Sequence, residues 1–362
     1  MSTRCAGWIF VFCFSLVSGL VPQNGPAAQS EPAASVPPAS PDRRMTLDVV
    51  VTDKSGTAVS GLQQQDFTLL DNKQPQKIVS FHPIEGKSAM ADPPVEIILL
   101  FDEINTNIST LAFERIEVEK FLGRNGGELA RPTSMVFLSD SGVMVGQTSS
   151  RDGNAIIAEL EQKKLGLRTI GKSQGLYGAG DRQNLCFDTL ERLADYETSK
   201  PGRKLMVWIS PGWPLLSGPE VGMNPKQSQG LFNSIVGISD RLRRARITLY
   251  AVDPLGVEDA DKTRTYAYEP FLKPVRKAGQ AELGDLALQV LAAQSGGRVL
   301  NSSNDVAGEI EACVADANSF YGLSFDSLPG DGPNEYHGLE IKIDKPGLTA
   351  RTRAGYYAQP EH

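Results

Sequence analysis

Hydrophobic residues follow two different patterns along this chain. Between residues 94 and 318, short continuous apolar runs alternate with stretches in which apolar residues recur every three or four positions. The first pattern is typical of strands buried on both faces, and the second of amphipathic helices. Strands are predicted at residues 95–101, 134–138, 205–209 and 247–252. Helices are predicted at residues 111–122, 155–161, 185–196, 231–244, 283–294 and 306–317. The alternation predicts an α/β domain with a doubly wound, mainly parallel sheet covered on both faces.

The regions on either side of this domain alternate with a period close to two. Residues 44–90 contain apolar positions separated by turn residues, as at Gly56, and residues 319–358 show the same pattern. Such alternation is typical of short antiparallel strands. Each region is too short to bury a core alone. We therefore expect the two regions to form one small β-module, with the domain of residues 94–318 inserted between its parts.

The N-terminus has the layout of an export signal. Arg4 precedes an apolar run at residues 5–21, and cleavage fits after Gly19 or near Ala28. We predict a signal peptide within residues 1–28 and a disordered linker rich in Pro, Ala and Ser at residues 29–43. The expected location is the periplasm or the cell exterior, and an uncleaved membrane anchor is the alternative.

Composition narrows the classes of function. Of the 362 residues, 40% are hydrophobic and 22% are charged, which is typical of a globular protein. The net charge of -7 gives no electrostatic reason to expect a nucleic acid or an anionic membrane as a partner. No Cys and His cluster has the spacing of zinc ligands. Once the signal is removed, Cys186 and Cys313 remain, and they either form a disulfide or act as small buried apolar residues.

Arginines crowd the end of the helix predicted at residues 231–244, at positions 241, 243, 244 and 246. Cations in that place complement the partial negative charge of exposed carbonyl groups. We predict a solvated helix end, with a recognition patch as the alternative.

The glycine-rich segment 166–175 matches two catalytic motifs. Its first part follows the phosphate-loop pattern G-x-x-x-x-G-K-S, and its second part follows G-x-S-x-G around Ser173. Asp253 and His337 come later, in the order used by α/β-hydrolases. Both motifs need a strand before the loop and a helix after it. Here a predicted helix precedes the loop, and three following glycines predict that no helix follows directly. We expect a flexible loop, and a nucleotide hydrolase or a serine hydrolase is the alternative.

Several segments together are similar to one family of exported bacterial proteins. They lie at residues 49–56, 100–106, 201–204, 250–254, 296–298, 320–321 and 353–357. In their order and spacing, residues 44–358 resemble the Acidobacterial VWFA-related domain family. This resemblance implies a von Willebrand factor type A fold, which is Rossmann-like. Loops of that fold usually bind a divalent cation and, through it, a carboxylate of a partner protein.

The resemblance also implies candidate site residues. The metal motif of the fold reads Asp-x-Ser-x-Ser, followed by a loop Thr and a later Asp. The matching positions carry Asp102, Ile104, Thr106, a loop near Asp181 without a Thr, and Ser210. Ile104 and Ser210 lose or weaken two oxygen ligands, so the site is degenerate and its affinity for Mg²⁺ or another divalent cation should be weak. The candidate metal ligands are Asp102, Thr106 and Ser210. The candidate ligand-binding surface comprises Asn105, Asp181 and Asp253.

These observations predict an exported, non-enzymatic binding module that recognises a protein or a component of the cell envelope. Asp102, Ser210 and Asp253 are expected at the carboxyl ends of parallel strands, where open sheets bind ligands and where a partner can dock without metal. Two alternatives stay open: a hydrolase that uses the glycine-rich segment, and a purely structural envelope protein.

Overall fold

The computed structural model of this protein describes residues 43–86, 94–146, 148–163, 175–213, 222–255 and 268–361. The predicted signal peptide and all but the last residue of the predicted linker lie outside the described residues. So does nearly all of the glycine-rich segment 166–175.

Strands dominate both ends of the described chain, and helices alternate with strands between them. The strands are β1 (Arg44–Thr52), β2 (Phe67–Asp71), β3 (Gln74–Gln76), β4 (Ser80–Glu85), β5 (Val95–Asp102), β6 (Glu128–Ser139), β7 (Gly142–Val145), β8 (Ser150–Asp152), β9 (Arg203–Ile209), β10 (Ile247–Val252), β11 (Val299–Leu300), β12 (Ser319–Asp326), β13 (Glu335–Ile343), β14 (Thr349–Arg351) and β15 (Gly355–Ala358). The α-helices are α1 (Ile108–Leu122), α2 (Gly153–Gln162), α3 (Gly175–Thr198), α4 (Pro225–Arg244), α5 (Leu288–Gln294) and α6 (Val306–Ala315).

A mixed sheet of seven strands forms the centre of the molecule. Its order is β11-β10-β9-β5-β6-β7, and β8 also pairs with β6. Strands β5, β6, β9, β10 and β11 are parallel, whereas β7 and β8 run antiparallel to β6. After β5 the chain forms β6 on one side of it, and later forms β9 on the other side. The α/β prediction is confirmed, but the two antiparallel edge strands were not predicted because they are short and partly exposed.

Helices cover both faces of this sheet because its inner strands are apolar on both sides. Helices α3, α4 and α5 pack on the face that carries Leu100 and Trp208. Helices α1, α2 and α6 pack on the face that carries Leu99 and Val207. Neighbouring residues of a strand point to opposite faces, so a continuous apolar run serves both layers. Each fully buried leucine contributes roughly 2 kcal/mol to stability.

The two ends of the chain form two antiparallel sheets, with orders β14-β1-β12-β4 and β15-β13-β2-β3. Strand β1 pairs with β12 and β14, and β2 pairs with β13, so N-terminal strands lie beside C-terminal strands. One apolar cluster draws on both sheets. Asp71, at the end of β2, is fully buried. Its carboxylate accepts hydrogen bonds from Tyr356 Oη (2.6 Å) and from His337 Nδ1 (2.9 Å).

Asp316, which follows α6, connects the terminal strands to the central sheet. Its carboxylate accepts a hydrogen bond from Tyr250 Oη (2.8 Å) and pairs with Arg351. Its backbone carbonyl accepts a hydrogen bond from Arg203 Nη1 (2.9 Å). Arg203 opens β9, so these bonds hold the terminal strands against the amino ends of the parallel strands. The carboxyl ends lie at the opposite edge of the sheet.

Two helices differ from the sequence prediction. Helix α3 begins at Gly175, ten residues before the predicted start, even though glycines at 175, 178 and 180 disfavour a helix. Cys186, Leu190 and Leu193 of α3 are buried in the apolar cluster on the sheet, and this packing offsets the intrinsic cost of glycine, about 1 kcal/mol each. The helix predicted at residues 283–294 is broken into a 3₁₀ turn (Leu283–Leu286) and α5. Among the described residues, no helix is long and apolar enough to cross a membrane.

Candidate functional site

The carboxyl ends of three neighbouring strands carry most of the residues that the sequence singled out. Asp102 ends β5, Ser210 follows β9, and Asp253 follows β10. Strands β10, β9 and β5 are adjacent and parallel, so these residues lie along one edge of the sheet, which we call the carboxyl edge. From β5 the chain continues to β6 on one side and later returns to β9 on the other side, so the topology of the sheet switches between β5 and β9. Open α/β sheets bind ligands at such a switch point.

Asp102 is fully buried at this edge and is surrounded by hydrogen-bond donors. Its Oδ1 accepts from the backbone N–H groups of Ile104 (3.2 Å) and Asn105 (3.0 Å). Its Oδ2 accepts from Asn105 Nδ2 (2.8 Å) and Trp208 Nε1 (3.1 Å). The Ser210 hydroxyl is a further hydrogen-bond partner of the carboxylate. Burial raises the pKa of Asp102, and these hydrogen bonds offset part of the rise.

The turn after β5 is fixed by its own side chains. Ile104 is fully buried in the same apolar cluster as Trp208. Asn107 caps α1, since its Oδ1 accepts a hydrogen bond from the Thr110 backbone N–H (2.9 Å). Ile104 is therefore an apolar anchor that holds the Asp102 turn against the sheet.

Glu114 of α1 is a buried acid that the sequence reasoning missed. It is 0% exposed, and burial raises the pKa of its carboxyl well above the usual value. The nearby charge of Asp102 raises it further, while a hydrogen bond with Thr106 lowers it. A sequence signal for this residue existed, because Glu114 falls in the apolar stripe of α1 with Leu111 and Val118.

The Asp102 carboxylate is not free to bind a divalent cation. Such an ion needs oxygen atoms with free lone pairs. A carboxylate offers about four lone-pair sites, and four N–H groups already use those of Asp102. Ser210 Oγ accepts a hydrogen bond from the Gly212 N–H (3.1 Å). Within the described part of the chain, no group of three or more His, Cys, Asp or Glu side chains is arranged to hold a metal.

The three residues of the predicted ligand-binding surface have different environments. Asn105 is used internally, because its Nδ2 donates to Asp102 and to Cys186 Sγ (3.2 Å). Asp181 lies exposed within α3, so the prediction of a loop at this position is wrong. Asp253 is half-buried, and with Ser210 it borders a shallow polar cavity. Among these three described residues, Asp253 is the one that borders a cavity at the carboxyl edge.

Cys186 and Cys313 are both free and both fully buried. Cys186 belongs to the apolar cluster on one face of the central sheet, and Cys313 to the cluster on the other face. The sheet separates the two thiols, so the candidate disulfide is not formed. Burial raises the pKa of both thiols.

The elements around the glycine-rich segment agree with the sequence reasoning in part. The element before it is α2, as predicted, and not the strand that either catalytic motif needs. Helix α3 begins at the last residue of the segment, Gly175, so the expectation that no helix follows is wrong. His337 lies in β13, bonded to Asp71 and stacked on Tyr356, whereas Asp253 lies at the carboxyl edge.

Helix α1, which begins beside this edge, also exposes large apolar side chains. Ile108, the first residue of α1, is 60% exposed, and Ile116 is 61% exposed. Phe113 is partly exposed on the same helix. At ~100° per residue, these three positions fall within an arc of ~140°, on one side of the helix. We call them the α1 apolar face.

Comparisons with known proteins do not assign a family. No family model matches this chain, and no curated protein matches it. Among solved structures, it is similar to the PilB minor pilin from Streptococcus sanguinis, with 12% identity over 62% of each chain and a TM-score of 0.35. It is similar to the pilus adhesin SpaC from Lactobacillus rhamnosus GG, with 10% identity, a TM-score of 0.34 and coverage of 83% of this chain and 43% of SpaC. It is similar to the SpRpn10 VWA domain, with 12% identity, a TM-score of 0.27 and coverage of 60% of this chain and 94% of that domain. The chain spans less than two thirds of the pilin and of the adhesin.

Proposed function

We propose that this chain is an exported, non-enzymatic binding module of von Willebrand A type, which docks a protein partner at its carboxyl edge without a metal ion. The order of the central sheet supports a doubly wound arrangement, since β6 and β9 lie on opposite sides of β5. Helices on both faces support it as well. The sequence resemblance to the exported VWFA-related family supplies the proposed location and type of module.

The α1 apolar face is the observation that carries the proposal. Ile108 follows the Asn107 cap directly, which places it beside the turn that holds Asp102. Large apolar side chains grouped on an exposed surface are typical of protein interaction sites, because their transfer out of water drives association. Helix α1 therefore offers a partner an apolar surface that begins beside the Asp102 turn.

Docking without metal follows from the hydrogen bonds of Asp102. In metal-dependent recognition, the partner's carboxylate completes the coordination of the cation, so the protein's own oxygens must be free to bind it. Here those of Asp102 are held by Asn105 and Trp208. Asp102 acts in this proposal as a structural residue that fixes the turn before α1.

Site-specific photo-crosslinking tests the proposal. A benzophenone amino acid replaces Ile116 in one variant and Tyr196 in a matched control, because Tyr196 is also exposed (52%) but lies on α3, over the other face of the sheet. In cells of the source organism, the probe at position 116 should crosslink a discrete protein, and the Ile108→Ser change should reduce the yield. No crosslink at position 116, or equal crosslinks at both positions, would contradict the proposal and favour a purely structural role.

A further inference from the structure

The arginines at the end of α4 separate into two groups, and one group borders a cavity. Arg241 pairs with Glu191 and Asp195 on the surface. Arg243 and Arg246 instead face the terminal strands. There they line a polar cavity between β1, the end of α4 and the segment after β14, and this cavity is open to solvent. Its lining includes Thr46, Asp48, Arg243, Arg246, Thr352 and Arg353.

Positive charge exceeds negative charge around this cavity. Arg246 pairs with Asp48, and Arg243 pairs with Asp240. Arg353 forms no ion pair with any described residue, although Asp48 and Asp240 act on it from a greater distance. The pKa of Arg353 is lowered to about 10, mainly by burial and to a smaller extent by the positive charge of Arg243. Arg353 is half-buried, and a half-buried cation without an ion-pair partner favours an anion beside it.

Two further donors in the lining are buried without a partner. Arg246 Nε and Thr352 Oγ1 have no hydrogen bond within the part of the chain that the structure describes. Buried donors normally find an acceptor, and an orphaned donor marks a place where a ligand or water belongs. With Arg353, the lining of this one cavity therefore includes two guanidinium groups and a hydroxyl with donors to offer.

We propose that this cavity binds the phosphate group of a small oxyanion ligand. Guanidinium groups present a planar fork of N–H donors that matches phosphate oxygens in pairs. The one carboxylate in the lining, Asp48, is already held by Arg246 and lies 3.9 Å from the buried Arg203, so its charge is balanced within the protein. Thr46 is exposed at this strand, which leaves an entrance for a compact ligand.

Calorimetric titration of the purified protein tests the site. The probes are inorganic phosphate and glycerol 3-phosphate, at an ionic strength held constant with NaCl. We expect saturable binding of at least one probe. Tighter binding of inorganic phosphate would identify a free ion as the ligand, and tighter binding of the ester would identify a phosphate carried by a larger molecule.

Three variants locate the binding. Arg353→Gln should weaken it at least tenfold. Thr352→Val should weaken it about threefold without unfolding the protein, because its hydroxyl has no partner in the described fold. Arg241→Gln, at the same helix end but away from the cavity, should bind as the parent does. The proposal is overturned if neither probe binds beyond the NaCl control, or if both cavity variants bind as tightly as Arg241→Gln.

Discussion

Glu309 on α6 should make the protein less stable at pH 8 than at pH 5. Its side chain is buried, with 7% of its surface exposed, and burial raises its pKa from 4.5 to about 7. The charge of Asp253 contributes to the rise, and hydrogen bonds from the Ser302 and Ser303 backbone oppose it. The perturbation we choose is Glu309→Gln, which keeps an oxygen acceptor and removes the charge.

The magnitude follows from the two pKa values. Below pH 4.5 the carboxyl is protonated in both the folded and the unfolded chain, so it contributes no pH dependence. Between 4.5 and about 7 the folded chain retains a proton that the unfolded chain has released, so stability falls as pH rises. One pKa unit corresponds to about 1.4 kcal/mol, which gives an upper bound of about 3 kcal/mol. Relaxation and water penetration reduce such penalties, and we expect about 1 to 2 kcal/mol.

Urea unfolding at pH 5 and pH 8 measures this effect. Relative to the parent, Glu309→Gln should gain about 1 to 2 kcal/mol more at pH 8 than at pH 5. The matched control is Glu311→Gln, on the same helix but exposed and paired with Arg124. Asp285, whose pKa burial raises to about 6, adds a pH dependence that all three proteins share. A gain that is equal at both pH values, or that Glu311→Gln reproduces, would refute the reasoning.

Two other predictions concern the interior. Asp71→Ala leaves the buried His337 and Tyr356 donors without their acceptor. It should therefore lower the free energy of unfolding, measured by urea titration, by about 2 to 4 kcal/mol. A loss under about 1 kcal/mol would contradict this prediction and show that water replaces the carboxylate. Cys186 and Cys313 should resist a thiol-specific reagent in the folded protein and react fully in denaturant, because both thiols are free and buried. Mass spectrometry follows the labelling. Fast labelling of the folded chain would contradict their burial, and a mass lower by two hydrogens would show a disulfide.

Patterns along the chain were sufficient to predict the four long parallel strands of the central sheet, but not the order in which the strands lie. The apolar runs at residues 95–101 and 247–252 lie within β5 and β10 because strands buried on both faces need continuous apolar sequence. No single run shows which strand lies beside it, so the hydrogen bond from Trp208 on β9 to Asp102 on β5 was not foreseeable.

The site residues show the same limit. Asp102 could be singled out because it ends an apolar strand, but its saturation with donors depends on the turn at Asn105 and on a neighbouring strand. Glu114 was detectable in principle, as an acid within an apolar stripe. The α1 apolar face was not, since Ile108 and Ile116 have the same side chain as buried residues and differ only in what packs against them.

The most direct test of metal-free docking at the carboxyl edge is a thermal-melting series in EDTA, Mg²⁺, Ca²⁺ and Mn²⁺, repeated with Asp102→Asn. A ligand at a hundred times its Kd stabilises the folded state by ~2.7 kcal/mol, which shifts Tm by a few degrees for a chain of this size. We predict the same Tm in EDTA and in each cation. A rise in Tm with one of these cations that Asp102→Asn abolishes would contradict the account and establish Asp102 as a metal ligand.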